Sequence, residues 1–558
     1  MDNFRIYCEN DRKYYEVPFG TPLNELVQEP DTLAVLVDNQ LKELNFRVMN
    51  AHTIRFVNYD HPDGRRTYIR SLCFVLQKVV RELFPEKVLV IDYSLPSGLY
   101  CEIRERENLQ DGRPQVYFIT DEEISKVLEG MRRTVEADLP FVKSKLEMQE
   151  ALKVFEGNGQ EEKANLVKSL GRFSYSVYCL DGQADTFHGP LVTSTGCLKT
   201  FDLIGFGNGF CLQYPMDGSM GKVLPMKRQS KIAGALKEHS DWCAIMGVKG
   251  VGSLNQVVRE GKVVDLINLS EALHERKYAE IADMIYSRRG SVKIVFIAGP
   301  SSSGKTSTSK RLAIQCRILG MNPKVIELDN YFVDREHTPK DENGEYDFEA
   351  LEAMDLAFLG QQLNDLLDGK EVEIPKFDFK EGRRSFNGNY MKLEDKDILI
   401  MEGIHALNPA MIPGVDASKV FRVYASALTS LSIDENNNIS TADNRLLRRM
   451  IRDNRTRGVN PEETIMRWQS VRRGENRNIF PFQENSDAIF NSAHIFELPV
   501  LKYYAEPLLR RIAPNSPAYV EATRILKFLS YIVELSPQEI AAVPPTSILR
   551  EFIAGQTL

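Results

Sequence analysis

One apolar stretch, Val292-Lys-Ile-Val-Phe-Ile-Ala298, runs directly into Gly299-Pro300-Ser301-Ser302-Ser303-Gly304-Lys305-Thr306. No other feature narrows the architecture as much. A strand apolar on both faces belongs in a parallel sheet covered by helices. The residues behind it fit G-x-x-x-x-G-K-[ST], the phosphate-binding loop. Its glycines let backbone N–H groups curl around phosphate oxygens at a helix N-terminus. The expected helix shows Leu312, Cys316 and Leu319 on one face and stops at Gly320. The expected nucleotide-binding set is Gly299, Ser301, Ser302, Ser303, Gly304, Lys305, Thr306 and Ser307. Within it, Lys305 serves the β- and γ-phosphates and the Thr306 hydroxyl serves Mg²⁺.

Such a loop is common to ATPases, GTPases and small-molecule kinases, so the residues after it must discriminate. Val325-Ile-Glu-Leu328 reads as a second strand, ending at Asp329. A carboxylate at the end of a parallel strand beside the loop faces the γ-phosphate, where a base for a substrate hydroxyl belongs. The competing reading makes Asp329 a turn-former. Asp397-Ile-Leu-Ile-Met401 reads as a third strand, and Glu402 behind it holds the usual position of a Mg²⁺-binding acid. Residues 443–477 then carry ten arginines against five acids, in a chain whose net charge is −8. A solvated helical face, a nucleic-acid groove and a lid over the transferring phosphoryl group all suit such a run. The loop upstream favours the lid.

The rest of the 558 residues exceeds one domain. Residues 1–62 alternate short strand patterns around a small helical stretch at Pro22–Leu26. From Arg65 to Pro85 apolar residues recur at helical spacing, and mixed α and β patterns continue to about 240. Gly247, Gly250 and Gly252 suggest a hinge, and Ser270 suits the N-cap of a helix that closes at Arg288-Arg289-Gly290. The eight cysteines are scattered singly, with neither Cys-x-x-Cys nor zinc-ligand spacing. No apolar run approaches the roughly 20 residues of a membrane span, and Met1-Asp2-Asn3-Phe4-Arg5 begins no secretory signal. A cytoplasmic protein without membrane association is expected.

In motif order, residues from Gly299 onward resemble the uridine kinase and phosphoribulokinase group of P-loop kinases. The resemblance rests on Gly299–Thr306, Asp329-Asn-Tyr-Phe332, Tyr346-Asp347-Phe348, Ile374-Pro-Lys-Phe377-Asp-Phe379, Met401-Glu402-Gly403-Ile404 and Arg445-Leu-Leu-Arg-Arg449-Met-Ile-Arg452-Asp453. It implies Asp329 as base, Asp347 as the holder of ribose hydroxyls, Arg449 as a phosphate-side substrate contact, and Arg452 and Arg457 as lid arginines. On the nucleobase side the chain departs from the pattern. Phe377 stands for a tyrosine, Gly382 for a histidine, Val459 for a lid arginine and Arg467 for a glutamine. Kinase chemistry is therefore expected with altered base selectivity, Phe377 and Arg467 lining the acceptor.

The amino-terminal half resembles the leading domains of threonyl-tRNA synthetase: a TGS domain over 1–62 and the second additional domain over 63–240. Arg70-Ser-Leu-Cys-Phe-Val-Leu-Gln, Ser97-Gly-Leu-Tyr-Cys, Ala137-Asp-Leu-Pro140 and Gly189-Pro-Leu-Val-Thr-Ser-Thr-Gly196 carry the likeness. The four editing and metal positions are Arg70, Phe74, Phe187 and Leu191, so neither zinc nor editing hydrolysis is expected. The expected protein is multidomain. It has a β-grasp TGS-like domain, an inactive α+β editing-like domain, a hinge and linker helix over 241–290, and a C-terminal α/β P-loop kinase with parallel sheet over 291–558. The expected reaction is Mg²⁺-dependent phosphoryl transfer from ATP to a hydroxyl of a nucleoside or related ribosyl compound. Alternatives are an RNA-linked or regulatory ATPase, in which residues 1–240 sense RNA or a small ligand, and a kinase of a non-nucleoside alcohol. A homo-oligomer is compatible with either reading.

Overall fold

In the computed structural model, the described residues are 3–110, 112–216, 221–227, 229–340, 344, 346–378, 380–412 and 414–558. Met1, Asp2 and the motif residue Phe379 lie outside them. Strands Asn3–Cys8 and Lys13–Pro18 pair antiparallel, with Ile6 opposite Tyr15. Thr53–Val57, Ala34–Val37 and Gln40–Lys42 complete a five-stranded sheet around a short 3₁₀ turn at Leu23–Leu26. The helix Pro62–Leu83 follows, started by the His61 ring accepting from the Asp63 N–H. It packs on a second five-stranded sheet that includes Lys87–Leu95, Gly98–Asn108 and Gly209–Gln213.

The phosphate-loop region is built on β1 (Ile294–Ala298), β2 (Asn322–Glu327), β3 (Asp397–Glu402), β4 (Val420–Ser426) and β5 (Ala488–Asn491). They lie parallel in the order β2-β3-β1-β4-β5. Every residue of β1 and β3 is buried, as the continuous apolar runs require. Around the sheet stand α1 (Ser230–Ile245), α2 (Val263–Ser287), α3 (Lys305–Ile318), α4 (Thr441–Arg457) and α5 (Pro461–Asn478).

Two local expectations change. Ser270 lies inside α2, seven residues past its start, because its hydroxyl is buried against the His494 ring at 2.9 Å instead of capping a helix. The glycines at 250 and 252 serve close packing more than hinging. A Cβ on Gly252 would come within 2.5 Å of the Leu166 nitrogen and 2.7 Å of the Glu162 oxygen.

The two halves interlock. Between β4 and α4 the chain forms a hairpin, Ser432–Asp434 with Asn437–Asn438, that enters the amino-terminal half. There the Asn436 side-chain oxygen accepts from Gln77, Gln160 and Lys163 at 2.9–3.0 Å. The Glu435 carboxylate accepts the N–H groups of Glu162 and Lys163, and the Ile91 N–H donates to the Glu435 carbonyl. The Asp434 carboxylate pairs with His188 at 3.2 Å and Lys163 at 3.7 Å, while Lys163 also meets Asp185. Nearby, the residues at the four positions where editing and metal side chains were not expected form a closed packing. The Phe74 and Phe187 rings lie 5.1 Å apart and Leu191 is buried. The Arg70 guanidinium presses on Gly189 and donates to the Pro190 carbonyl.

Candidate active site

The phosphate loop is shaped by three local constraints. Gly299 runs so close to β4 that a Cβ would sit 1.9 Å from the Ala425 oxygen. Ser302 holds φ +58° and Gly304 φ +80°, left-handed conformations that turn successive N–H groups inward. Lys305 opens α3, and its ammonium reaches back to the Pro300 carbonyl at 3.3 Å. The Ser302 and Ser303 hydroxyls are buried without a hydrogen-bond partner. A buried hydroxyl left in that state is costly unless something else satisfies it, and phosphate oxygens supply acceptors there.

The parallel register brings the strand ends level, pairing Ile297 with Glu402 and Glu327 with Glu402. The Thr306 hydroxyl donates to Glu402 Oε1 at 2.6 Å. Two hard oxygens at the phosphate end of a sheet suit Mg²⁺, which takes one or two carboxylates and completes its shell with phosphate and water. Burial pushes the Glu402 carboxyl up to about 7, against the pull of Lys305. Among the described residues no group of three or more His, Cys, Asp or Glu forms a metal cluster.

Asp329 sits in the 3₁₀ turn Leu328–Tyr331 that ends β2. Burial raises its carboxyl pKa, and the charges of Lys305 and Arg457 oppose the shift. A carboxyl at this strand end, within electrostatic reach of Lys305 and Arg457, is placed to take a proton beside the phosphoryl site.

The arginine run divides into two groups. Arg445 and Arg448 are fully buried and belong to the scaffold. Arg445 pairs with Glu475, gives its Nε–H to the Ser301 carbonyl at 3.0 Å and lies over the Trp468 ring. Arg448 pairs with Glu497 and donates to the Ser492 carbonyl. Arg449, Arg452 and Arg457 instead gather around Asp453, at 3.4, 2.8 and 3.6 Å. Arg449 also donates to the Ser301 hydroxyl at 2.9 Å, which puts its side chain at the loop.

Three expected contacts are corrected. The Ser307 hydroxyl donates to Glu551 at 2.5 Å and accepts from Gln556 at 2.7 Å, so the carboxy-terminal segment engages this side chain. In the same segment Ile548 packs where a Cβ on Gly304 would stand, 2.6 Å from its Cδ1. Phe377 is buried in the core, its ring 5.8 Å from Phe332. Arg467 extends into solvent, its side chain 67% exposed and paired with Glu463, because it lies on the outer face of α5. Asp347 holds a turn: its Oδ1 accepts the Glu349 N–H at 3.1 Å, and Arg477 stands 3.8 Å from Oδ2.

Two acids went unread in the sequence. Glu475, entirely buried, accepts the Ser301 N–H at 3.1 Å and so ties α5 to the loop. Counted only as a counter-charge, it gave no other signal. Glu349 packs against Gly474 and has its carboxyl pushed up to about 7, chiefly by burial and then by Glu475. The charges of Arg449, Lys305 and Asp329 also reach it, so it belongs to the same site. Over Gly382 the Arg335 guanidinium fills the space a side chain would need, 2.8 Å from the Cβ position.

A phosphate cradle, an oxygen pair suited to Mg²⁺ and a half-buried carboxyl at the neighbouring strand end are the parts of a phosphoryl-transfer site, here that of a P-loop kinase. The model of the phosphoribulokinase/uridine kinase family matches residues 294–497. The uridine kinase of Macrococcus caseolyticus is 32% identical over 197 residues, 35% of this chain and 86% of that one. The chain belongs to the phosphoribulokinase/uridine kinase family. Its amino-terminal region is similar to the threonine–tRNA ligase of Symbiobacterium thermophilum, at 26% identity over 207 residues. That match covers 36% of this chain and only 30% of the ligase. A solved structure described as "a Possible Uridine Kinase from Bacillus stearothermophilus" covers 36% of this chain and 89% of its own, at 20% identity and TM-score 0.25. At that score the superposition adds nothing to the assignment.

Proposed function

We propose that the protein transfers the γ-phosphoryl group of ATP to a hydroxyl of a nucleoside or related ribosyl compound. The observation that carries this reading is Asp329, half-buried in the turn that ends β2, beside the phosphate loop and within electrostatic reach of Lys305 and Arg457. A switch ATPase needs only a positioned water, whereas an acceptor hydroxyl needs a base at this point. Asp329 accepts the hydroxyl proton as the oxygen attacks phosphorus. Lys305 and the guanidinium groups around Asp453 offset the negative charge that spreads over the phosphoryl oxygens. Thr306 and Glu402 would hold Mg²⁺, whose chemistry is to neutralise phosphate charge and orient the transferring group.

The acceptor's base is the least specified part. Phe377 lies in the core, Arg467 points to solvent and Arg335 fills the space over Gly382, so these positions offer no match to the family's base-reading groups. Uridine is accordingly proposed as a poor acceptor. The test is transfer of radiolabelled phosphate from ATP across nucleosides, ribosyl compounds and small alcohols, against hydrolysis in buffer. Phosphate released only to water would favour the ATPase reading, and uridine as best acceptor would refute the altered selectivity. The amino-terminal half is proposed to grip the kinase region through the 432–438 hairpin.

A further inference from the structure

Residues 545–558 lie beyond the stretch that the family model matches, yet they return to the phosphate-loop helix. Ser307, in the first turn of α3, is fully buried, and both hydrogen bonds of its hydroxyl go to this segment. It donates to Glu551 Oε2 at 2.5 Å and accepts from the Gln556 amide at 2.7 Å. One turn further along α3, the Lys310 ammonium donates to the Leu558 carbonyl at 3.1 Å. Arg455 of α4 donates to the Glu551 and Phe552 carbonyls at 2.9 and 3.3 Å. The Phe552 ring is buried, with the Arg448 guanidinium carbon 4.9 Å from its centroid. The segment thus ties the helix behind the phosphate loop to the arginine helix.

Two features set this contact apart from ordinary packing. The first is charge. The opening turn of a helix is where its dipole and open N–H groups draw an anion, and the opening turn of α3 completes the phosphate loop. Glu551 sets a carboxylate against that turn. Carboxylate and helix end favour each other until a nucleotide brings further negative charge into the same field. The second feature is backbone strain. Ala554 holds φ +91° and ψ +164°, a region that glycine alone adopts freely. It stands in sequence between Glu551 and Gln556, the two anchors on Ser307. Closing the segment onto Ser307 therefore costs free energy that opening it returns.

We propose that residues 545–558 form an autoinhibitory strap: Glu551 holds Ser307 until nucleotide phosphates repel it, and ATP binds with the segment released. This rests on the ATP use proposed above and concerns how that site is governed. A nucleotide meets a like charge in the closed form and none in the open one, which supplies the differential affinity a shift between them requires. Strain at Ala554 lowers the cost of opening. Release also frees Arg455, which lies between Arg452 and Arg457 on α4. The same event therefore unties the arginine helix from α3.

Calorimetry with a non-hydrolysable ATP analogue and full-length protein tests the strap without turnover. Glu551→Gln keeps an acceptor for the Ser307 hydroxyl and removes only the charge. It should bind the analogue about fivefold more tightly than wild type, the worth of one like-charge contact near solvent. Ala554→Gly relieves the strain and steadies the closed form, so it should bind about threefold more weakly. The two variants move in opposite directions at unchanged circular dichroism. In wild type, the analogue should speed amide hydrogen exchange over residues 547–558. That measurement needs no variant, so it decides even where a variant does not fold. Equal or weaker binding by Glu551→Gln, equal or tighter binding by Ala554→Gly, or slower exchange over the segment would overturn the strap. Slower exchange together with weaker binding by Glu551→Gln would make the segment a wall of the nucleotide site instead. Analogue bound by none of the three proteins would overturn both the strap and the ATP reading. The expected binding pattern with no transfer to any acceptor would refute the kinase reading and leave the strap standing.

Discussion

Removing either member of the Arg445–Glu475 pair tests how the phosphate loop is held. Both side chains are at most 1% exposed, and both act on Ser301, Arg445 at its carbonyl and Glu475 at its N–H. Glu475→Leu leaves a guanidinium sealed from water with only the Ser301 carbonyl and the Trp468 face for company. Stranding a buried charge in this way costs about 3–5 kcal/mol. Arg445→Met should cost toward the lower end, about 3 kcal/mol, because Arg472 still reaches Glu475 at 3.2 Å. The double variant Arg445→Met/Glu475→Leu strands nothing, and it should return to within about 2 kcal/mol of the parent. The coupling energy is then about 3 kcal/mol or more. Urea unfolding in a Trp242→Phe background follows this region directly, since Trp468 lies 5.4 Å from the Arg445 guanidinium carbon. The double variant should still lose about tenfold or more in kcat, because Ser301 is no longer anchored. Single variants costing under about 1 kcal/mol, or a double variant equal to the sum of the singles, would refute the pairing argument.

Lys305→Ala should abolish turnover and leave the fold intact; a folded variant keeping more than about a tenth of the rate removes the phosphate-loop assignment. Asp329→Asn should lower kcat by roughly 10²-fold with little change in KM, and steady-state kinetics showing unchanged turnover would discard it as base. Asp347→Ala should raise acceptor KM at least as strongly as it lowers kcat, since it frees the turn that carries Glu349. Glu349→Gln tests pH dependence. Its carboxyl, held up at about 7 from 4.5, favours the folded state below pH 4.5, and that contribution is lost as pH rises through 7. Wild type should therefore lose up to about 3 kcal/mol across that window that the variant keeps, read as converging or diverging melting curves between pH 5 and 8. Parallel curves would contradict the shift.

What the sequence disclosed follows how local each cause is. The loop, its strand and the two acids at the strand ends were readable because each depends on neighbours a few residues away. The arginines were readable only as a run. Arg445 and Arg448 find their acids 30 and 49 positions later, so nothing nearby separates them from Arg449, Arg452 and Arg457. Ser307 reads as a phosphate contact until Glu551, 244 residues on, takes its hydroxyl. Ser270 has the chemistry of a cap, but a buried imidazole from a distant segment bonds it more closely than an open helix end would. Glu349 is invisible for the same reason, since Gly474, Glu475 and Arg449 come to it only in the fold.

The hairpin between β4 and α4 also sets an order of events during synthesis. Lys163 precedes Asn436 by 273 residues, which at about 5–20 residues per second is a lead of about 15 to 50 seconds on the ribosome. The polar socket of Gln77, Gln160, Lys163 and Asp185 is thus complete before its plug exists. The arginine helix begins three residues after that plug, so its first turn emerges already moored to finished structure. A gene cut at residue 290 would yield a chain whose Asp434, Glu435 and Asn436 have lost the partners that cover them.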